Sequence, residues 1–412
     1  MKYGLLGKKL SHSYSPMIHR AIGNDDYHLI ELPPEALDDY IKKSDFSGIN
    51  VTIPYKKDVI PYCTVLSDTA KKIGSVNTIV NNGGRLYGYN TDYDGFLYMS
   101  DRAQITFKDR KVLILGSGGT SLTAAHAAAD RGAREILIVS RSGSVNYNNI
   151  YEHQDADILI NTTPVGMYPK NDEKLVDISR IPNLSGVIDV IYNPLKTNLL
   201  LDAAKQGIRH TNGLSMLIAQ AIYASELFFN TTYDSSIIEK TLSKIQKEVM
   251  NIVLVGMPGS GKTIIGKAIA DSLNRTFIDT DAEIEKKHNL SPAEILKKHG
   301  EEYFRALETE VVKTIAKTSR AVIATGGGVP LKEENRRALM QNSYICFLER
   351  PLDSLDISGR PLSQAGSLEL LYHRRLPHYR SVCDIIIENN DTVENVTSRI
   401  IDAFEKQRTV HI

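Results

Sequence analysis

A glycine-rich segment in the second half of the chain has the spacing of a phosphate-binding loop. Residues 256–263 are Gly-Met-Pro-Gly-Ser-Gly-Lys-Thr, and they follow an apolar run and precede an amphipathic one. In such a loop, backbone N–H groups surround a polyphosphate, the lysine contacts the β- and γ-phosphates, and the threonine hydroxyl binds Mg²⁺. A glycine-rich turn without a ligand is the alternative, which the flanking runs disfavour. The segment predicts an ATP site made of Gly256, Gly259, Ser260, Gly261, Lys262 and Thr263.

Two carboxylates and a glycine triplet follow this loop. Asp279 and Asp281 are two residues apart at the end of the next apolar run, so an extended chain would point both side chains the same way. One would then serve a metal ion and the other a phosphate acceptor, with a solvated acidic turn as the alternative. Residues 326–328 are glycines after another apolar run, which permits close backbone approach to a ligand, although a plain turn is as compatible.

Three arginines complete a set that resembles shikimate kinase from Asn251 to the C-terminus. Arg305 lies in Glu-Tyr-Phe-Arg-Ala-Leu-Glu, Arg360 in Gly-Arg-Pro-Leu and Arg375 in Arg-Leu-Pro-His-Tyr. Their order and spacing are those of the family. The resemblance implies that Arg305 and Arg375 hold a substrate carboxylate and that Asp281 holds and deprotonates the attacked hydroxyl. It also implies that Thr263 and Asp279 position Mg²⁺. The pocket would be shaped by Gly326, Gly327 and Gly328.

The remaining arginine belongs to a predicted lid. By the same resemblance, Arg360 closes over ATP and, with Lys262, neutralises charge on the transferred group. The lid, at about residues 352–367, is shorter than is usual in the family.

In the first half, a second glycine-rich segment predicts a dinucleotide site. It follows the apolar run Lys111–Leu115 and precedes the helical pattern at 122–130, so a pyrophosphate would lie at a helix N-terminus. Ser121 replaces the third glycine of the usual fingerprint, which leaves a plain turn possible. After the next apolar run, Arg141 stands where NAD enzymes carry an acidic residue, and an arginine there favours NADP. The predicted cofactor contacts are Gly116, Ser117, Gly118, Gly119, Thr120 and Arg141.

Polar clusters elsewhere in this half resemble shikimate dehydrogenase over residues 1 to about 248. The clusters are Ser11–Pro16, Asn50–Lys56, Ser75–Thr78, Tyr89–Asp92 and Asn212–Gln220. The resemblance implies an acid/base pair of Lys56 and Asp92 beside a carbonyl that receives hydride, although an ordinary surface lysine is the alternative. Further implied substrate contacts are Ser13 and Ser15 to a carboxylate, Thr52, Asn77, Asp92 and Gln220 to hydroxyls, and Tyr192. Val190 and Gly213 would line the nicotinamide.

The elements that must position these residues are predicted to be α/β throughout. Short apolar runs such as Lys111–Leu115 and Glu135–Val139 alternate with longer amphipathic ones, which indicates βαβ units and parallel sheets. The apolar spacing of residues 237–249 predicts one amphipathic helix, Ile237–Val249. We expect an α/β substrate lobe at 1–100, with helices of 214–248 packing back onto it, and a Rossmann-type NADP lobe at 101–213. A P-loop kinase domain, nucleoside-monophosphate-kinase-like, would occupy 250–412. The short stretch between Arg141 and Asp157 predicts a trimmed nucleotide sheet.

Composition narrows the classes of partner. Basic and acidic residues balance at 49 each, which argues against nucleic acid and anionic membranes and leaves small molecules. The three cysteines, Cys63, Cys346 and Cys383, lack paired spacing, and neither a signal peptide nor a long apolar run is evident. We therefore predict a cytoplasmic protein.

The two resemblances together imply a bifunctional enzyme. NADPH would reduce 3-dehydroshikimate to shikimate, and Mg-ATP would phosphorylate shikimate to shikimate 3-phosphate, in chorismate biosynthesis. The product of the first reaction is the substrate of the second. Quinate in place of shikimate is one alternative for the first half. A sensor built from retired enzyme domains is another, and it would predict the loss of catalytic groups that this sequence retains.

Overall fold

The computed structural model describes residues 2–10, 13–355 and 368–407. The chain forms two compact units, of which the first ends at Ile245 and the second begins at Gln246. Over the described ranges, no helix is long and apolar enough to cross a membrane. Arg360 and most of the predicted lid lie outside the described residues.

The first lobe of unit 1 is built on a six-stranded mixed sheet with the order β2-β1-β3-β5-β6-β4. Its strands are β1 (Tyr3–Gly7), β2 (Tyr27–Glu31), β3 (Gly48–Val51), β4 (Val65–Leu66), β5 (Thr78–Asn82) and β6 (Arg85–Tyr89). Its helices are α1 (Ser15–Ala21), α2 (Leu37–Lys43), α3 (Asp68–Ile73) and α4 (Thr91–Arg102). Strand β1 runs parallel to β2 and β3, whereas β5 is antiparallel to β3 and β6.

The second lobe is a five-stranded parallel sheet with the order β11-β10-β9-β7-β8. Its strands are β7 (Lys111–Leu115), β8 (Glu135–Val139), β9 (Ile158–Asn161), β10 (Gly186–Asp189) and β11 (Arg209–Thr211), and its helices are α5 (Gly119–Asp130) and α6 (Asn198–Lys205). Strand order reverses between β7 and β9, which places a ligand crevice at their carboxyl ends. The crossover from β8 to β9 contains only a short 3-10 turn at Ile150–Glu152, in keeping with the short predicted connection.

Two helices follow the second lobe. Helix α7 (Leu214–Phe229) packs on α4 and α1. Its Phe228 ring contacts Tyr3 and occupies the space that a side chain at Gly48 would need. Helix α8 (Ile237–Val249) has the bounds that its apolar spacing predicts. Its Glu239 forms an ion pair with Arg102 at 2.7 Å, which ties α8 to α4.

Unit 2 is a parallel sheet of five strands in the order β13-β14-β12-β15-β16. The strands are β12 (Asn251–Val255), β13 (Thr276–Asp279), β14 (Ala321–Ala324), β15 (Ser343–Glu349) and β16 (Ile385–Glu388). The described helices are α9 (Lys262–Leu273), α10 (Thr280–His288), α11 (Pro292–Ile315), α12 (Glu333–Met340), α13 (Leu368–Arg380) and α14 (Val393–Lys406). The predicted phosphate loop connects β12 to α9 at the carboxyl edge of the sheet.

The expected extended geometry of Asp279 and Asp281 is wrong. Strand β13 ends at Asp279, and Asp281 lies in the first turn of α10. The helix begins there because the Asp279 carboxylate caps it, accepting hydrogen bonds from the N–H groups of Asp281 at 3.0 Å and Ala282 at 3.4 Å. The two carboxylates nevertheless line the same cavity.

Candidate active sites

The predicted substrate-binding residues of unit 1 and the predicted cofactor residues Thr120, Val190 and Gly213 line one cleft of about 490 Å³, whereas residues 116–119 and Arg141 do not line it. It lies at the carboxyl ends of strands from both lobes, where parallel strands leave their polar ends exposed to ligands. The predicted residues that line it are Ser13, Ser15, Thr52, Lys56, Asn77, Asp92, Thr120, Val190, Tyr192, Gly213 and Gln220. The cleft also contains Lys9, Asn50, Met167 and Met216, which sequence reasoning did not single out.

An ion pair of Lys56 and Asp92 lies in this cleft. The Lys56 Nζ donates to Asp92 Oδ2 at 2.5 Å, and the two side chains are 18% and 14% exposed. Asp92 belongs to the first turn of α4, whose N-cap Asn90 accepts from the N–H of Tyr93 at 3.2 Å. The helix therefore fixes the carboxylate, and the carboxylate orients an ammonium group that can give up a proton.

Beside this pair, amides and hydroxyls form a buried network. Asn77 Oδ1 accepts from the N–H of Thr91 at 2.7 Å, and Asn77 Nδ2 donates to Gln220 Oε1 at 3.4 Å. Asn50 donates to Thr78 Oγ1 at 3.0 Å and accepts from the Tyr27 hydroxyl at 2.7 Å. Asn50 could have been found from the sequence, because it is two residues from Thr52 and shares its face of the extended chain.

Behind Asn50, a buried histidine supports Tyr27. The His19 ring stacks on Tyr27 with centroids 3.6 Å apart, and its Nδ1 lies 3.2 Å from Ser225 Oγ. Burial lowers the pKa of His19 to about 3, although Asn50 opposes that shift. His19 is therefore neutral at ordinary pH, and it acts on the cleft through Tyr27 and Asn50. Sequence reasoning missed this residue.

The glycine-rich segment after β7 has room for a dinucleotide. Gly116 has a φ of +105°, and a Cβ there would meet Thr162 Oγ1 at 2.9 Å, so this turn requires glycine. At Gly118 and Gly119 a Cβ would meet nothing within 4 Å, and Gly118 caps α5 without any side-chain hydrogen bond. The open N–H groups at this helix end suit a pyrophosphate.

At the end of β8, Arg141 is exposed and forms neither an ion pair nor a hydrogen bond with the residues that the structure describes. A cation without a protein partner at this position suits the 2′-phosphate of NADP(H). The residues present thus fit the cofactor that the sequence predicts.

In unit 2, the phosphate loop and the acidic pair line a cavity of about 580 Å³. Gly256, Gly259 and Gly261 all have positive φ values, which direct the backbone N–H groups inward as an anion site requires. Lys262 Nζ donates to the carbonyl oxygens of Gly256 at 3.0 Å and Met257 at 2.8 Å.

Thr263 and Asp279 form a pair beside this loop. Thr263 Oγ1 donates to Asp279 Oδ2 at 2.8 Å, and these hard oxygen donors suit Mg²⁺. Gly256 and Ser260 are buried and are not among the residues lining the cavity. Asn389, which sequence reasoning missed, holds the phosphate loop in place, because its Nδ2 donates to the Ser260 carbonyl oxygen at 2.8 Å.

The glycine triplet makes room for three charged groups. A Cβ on Gly326 would lie 2.7 Å from Asp281 Oδ1, one on Gly327 would lie 3.0 Å from Arg375 Nη1, and one on Gly328 would overlap the Arg305 guanidinium. Gly326 and Gly328 are therefore required by predicted substrate-binding side chains, whereas a Cβ on Gly327 would meet the Pro258 ring first, at 2.7 Å. The space that neighbouring side chains need, rather than the backbone flexibility of glycine, explains the triplet.

The two arginines predicted to bind substrate differ in their surroundings. Arg375 is 3% exposed, and its Nε and Nη1 have no hydrogen-bond partner among the described residues. Burial lowers its pKa. Arg305 instead donates from Nη1 to Glu308 Oε1 at 2.9 Å. An anion that enters the cavity would thus find two guanidinium nitrogens of Arg375 without hydrogen bonds to the described residues, although Tyr379 and the buried Glu308 already interact with this side chain.

Two further charged residues line the cavity and were missed. Glu308 is 1% exposed. Its burial raises its pKa, and Arg305 opposes that shift. The three-residue spacing of this pair on α11 was the available signal. Arg350 follows β15 at the carboxyl edge of the sheet and lines the same cavity.

These sites define the class of each unit. Unit 1 is a two-lobed, dinucleotide-dependent oxidoreductase with a lysine–aspartate pair in its cleft. Unit 2 is a P-loop kinase whose acceptor pocket contains arginines.

Comparison with known proteins identifies the families. A family model described as "Shikimate dehydrogenase substrate binding domain" matches residues 5–79, and one described as "Shikimate kinase" matches residues 258–405. The chain is 40% identical over 266 residues to the shikimate dehydrogenase (NADP(+)) of Clostridium beijerinckii, which covers 60% of this chain and 98% of the relative. The chain belongs to the shikimate dehydrogenase family and joins to that region a shikimate kinase domain, as the sequence predicts.

Solved structures agree with this assignment. A chorismate mutase/shikimate 5-dehydrogenase fusion protein from Clostridium acetobutylicum matches with a TM-score of 0.57 and 34% identity, over 60% of this chain and 97% of that one. A quinate dehydrogenase from Corynebacterium glutamicum, in complex with NAD, matches with a TM-score of 0.54 and 28% identity, over 59% of this chain and 99% of that one. The predicted α/β fold class and the predicted fusion are confirmed.

Proposed function

We propose that the chain catalyses two consecutive reactions. Unit 1 reduces 3-dehydroshikimate to shikimate with NADPH, and unit 2 phosphorylates shikimate to shikimate 3-phosphate with Mg-ATP. The observation that carries this proposal is the presence on one chain of two cavities suited to the same small polyhydroxylated carboxylate. One has an acid/base pair beside a dinucleotide site, and the other has buried arginines beside a P-loop. A cytoplasmic location, where both nucleotides are available, accompanies this proposal.

In unit 1, Lys56 is the proton donor to the carbonyl oxygen, and Asp92 orients the lysine side chain through their ion pair. Ser13 and Ser15 bind the substrate carboxylate. Its hydroxyls are bound by Thr52, Asn77, Asp92 and Gln220, and Tyr192 adds a contact. The first lobe (1–100), with the helices at 214–248, then acts as the substrate lobe.

The second lobe (101–213) binds the cofactor. Residues 116–120 hold the pyrophosphate at the start of α5, and Arg141 holds the 2′-phosphate. Val190 and Gly213 line the nicotinamide. Bound NADPH supplies the hydride, and the protein supplies orientation and the proton.

In unit 2 (250–412), Asp281 accepts the proton of the attacked hydroxyl, while Arg305 and Arg375 hold the carboxylate. Lys262 stabilises charge on the transferred group, and Thr263 with Asp279 would hold Mg²⁺. Mg-ATP supplies the phosphoryl group when bound. The role of Arg360 as a lid residue stays a prediction.

Quinate is a second candidate substrate for unit 1. The likeness to a quinate dehydrogenase in complex with NAD supports testing it. Oxidation of shikimate and of quinate, each with NADP⁺ and NAD⁺, separates the candidates. We expect shikimate with NADP⁺ to be preferred. The Arg141→Ala variant should raise the KM for NADP⁺ and leave that for NAD⁺ unchanged, and an unchanged KM for NADP⁺ would contradict the cofactor assignment.

Product analysis by mass spectrometry tests both activities. Purified protein is mixed with 3-dehydroshikimate, NADPH and Mg-ATP, alongside the variants Lys56→Ala and Asp281→Asn. The unaltered protein should give shikimate 3-phosphate, Asp281→Asn should accumulate shikimate, and Lys56→Ala should leave 3-dehydroshikimate unchanged yet phosphorylate added shikimate. If the unaltered protein accumulates shikimate without phosphate, the kinase half of the proposal is wrong. If 3-dehydroshikimate persists, the dehydrogenase half is wrong.

A further inference from the structure

Asp189 is a buried carboxylate for which the proposed reactions have no use. It ends β10, is 0% exposed and directly precedes Val190 of the cleft. Its Oδ1 accepts from Asn161 Nδ2 at 3.0 Å and from the N–H of Ile191 at 3.1 Å, and its Oδ2 accepts from Thr197 Oγ1 at 2.6 Å. Three donors thus surround one carboxylate, as a buried anion requires.

These hydrogen bonds close the loop at residues 190–197. Thr197 is the N-cap of α6, and Asn161 is the last residue of β9. The carboxylate therefore fastens both ends of the loop to neighbouring elements. On the other side, a Cβ at Gly213 would overlap the Val190 carbonyl oxygen, so the loop lies against the start of α7 without spare room.

The loop carries two residues of the cleft. Val190 and Tyr192 both line it, and the Tyr192 ring packs against Tyr14 at a centroid distance of 5.2 Å. We propose that Asp189 is a positioning residue for the dehydrogenase reaction, whose ionised carboxylate holds loop 190–197 so that Val190 meets the nicotinamide and Tyr192 the substrate. This inference rests on the proposed function of the cleft.

The ionised form suits this role better than the neutral one. All three surrounding groups are donors, so a protonated carboxyl would have to donate to Thr197 Oγ1, and the threonine proton would then lose its acceptor. Burial raises the pKa of Asp189 to about 7, and the three hydrogen bonds oppose that shift. As the pH falls through about 7, the loop should therefore lose the hydrogen bond from Thr197 while Asp189 stays buried, although the fold as a whole gains stability.

No neighbouring charge is directed at Asp189 in the described part of the chain. No charged group of the described residues contributes to the pKa shift of Asp189, and the charged Glu173 and Lys174 line a small cavity together with its partners Asn161 and Thr197. Lys174 is itself paired with Asp202 at 2.8 Å. The charge state of Asp189 is thus set by burial and by its three donors.

The test is the ratio of KM values for Asp189→Asn and the unaltered protein across pH. Shikimate oxidation with NADP⁺ is measured from about pH 6 to pH 8.5, with the exposed Asp177→Asn as control. At the high end the ratio should be about fivefold for both NADP⁺ and shikimate, with a smaller change in kcat, because the amide cannot accept from every donor. It should approach one at the low end, where the unaltered carboxyl is protonated. Effects of pH on other groups are common to both proteins and cancel in the ratio.

Two outcomes would overturn the inference. A ratio that stays constant across pH would mean that Asp189 has a structural role without titration, and a ratio near one throughout would mean that the loop does not need it. Thr197→Val should reproduce the loss, and Thr197→Ser should restore normal values. If the unaltered protein oxidised no shikimate, the proposed function would fail instead, and the same ratios would be measured as NADP⁺ dissociation constants by calorimetry.

Discussion

The two cavities are proposed to bind the same molecule with opposite strategies. In the cleft of unit 1, the polar groups already pair with one another, as Lys56 does with Asp92 at 2.5 Å and Asn77 with Gln220 at 3.4 Å. In unit 2, Arg375 is buried with two of its nitrogens lacking any partner among the described residues. A substrate exchanges hydrogen bonds in the first site, whereas in the second it supplies hydrogen-bond acceptors to guanidinium nitrogens that lack them.

This difference predicts opposite costs for the protein without ligand. A paired polar group contributes to stability, and removing one partner leaves the other without a hydrogen bond. A buried guanidinium with two nitrogens that form no hydrogen bond lowers stability, and function retains it. Substitutions at Lys56 and at Arg375 should therefore both lower activity. Those at Lys56 should lower stability, whereas those at Arg375 should raise it.

The largest effect is expected at Lys56. Lys56→Ala should lower kcat for shikimate oxidation by about 10³-fold, because a positioned acid/base group contributes roughly that much. It should also lower the melting temperature of unit 1, since Asp92 loses its ion-pair partner. NADPH formation is followed by absorbance, and the kinase rate of the same sample is the control. A higher melting temperature of unit 1 in Lys56→Ala would contradict the proposed difference in stability effect between Lys56 and Arg375.

Arg375→Met should raise the KM for shikimate in the kinase reaction about a hundredfold, since a charge-assisted, desolvated contact is lost. The melting temperature of unit 2 should rise, because a buried cation without a hydrogen-bond partner for two of its nitrogens is replaced by an apolar side chain of similar length. The exposed Arg380→Met is the matched control. Calorimetry with and without Mg-ADP identifies the unit 2 transition as the one that the nucleotide shifts. An unchanged or lower melting temperature would refute the strategy assigned to this site.

Glycine substitutions sharpen the comparison at a smaller scale. Gly328→Ala places a Cβ on the Arg305 guanidinium, so the KM for shikimate in the kinase reaction should rise about tenfold as that side chain is displaced. Gly119→Ala places a Cβ in open space, so it should leave the stability of unit 1 unchanged and raise only the KM for NADP⁺. A lower melting temperature for Gly119→Ala would mean that the added methyl group contacts the protein, and that the space beside Gly119 is not open to a ligand.

Much of this organisation was predictable because periodicity and glycine spacing are local signals. The strands Lys111–Leu115 and Glu135–Val139 and the helix Ile237–Val249 have the predicted bounds. Most of the proposed site residues of the cleft converge because they follow a strand or open a helix at one edge, which order along the chain already implies. Asn77, which precedes β5, and Gln220, which lies within α7, are exceptions.

What the sequence did not predict depends on contacts between distant residues. Asp279 ends its strand because it caps the following helix, and a carboxylate two residues before another gives no sign of which geometry prevails. His19 and Asp189 act through partners far away in sequence, such as Ser225 and Asn161. The partner for which each glycine of the triplet makes room likewise becomes evident only when the chain has folded.

The smallest predicted effect concerns stability and pH, and it contrasts two buried acids. Burial raises the pKa of both Asp189 and Glu308, but Arg305 opposes the shift at Glu308 whereas no charge does so at Asp189. A raised pKa in the folded state gives stability that is present at low pH and is lost as the pH rises through that pKa. Between about pH 6 and pH 8, Asp189 should therefore remove about 1 kcal/mol from the free energy of unfolding of unit 1.

Calorimetry of the unaltered protein and Asp189→Asn at those two pH values tests this sign, since only the difference between the proteins reports on Asp189. The unit 1 transition of the unaltered protein should shift further down between pH 6 and pH 8 than that of the variant. The unit 2 transition, identified by its response to Mg-ADP, should move equally in both. A larger downward shift in the variant would mean that the ionised carboxylate of Asp189 stabilises the fold, and the predicted sign of the pH effect would be wrong.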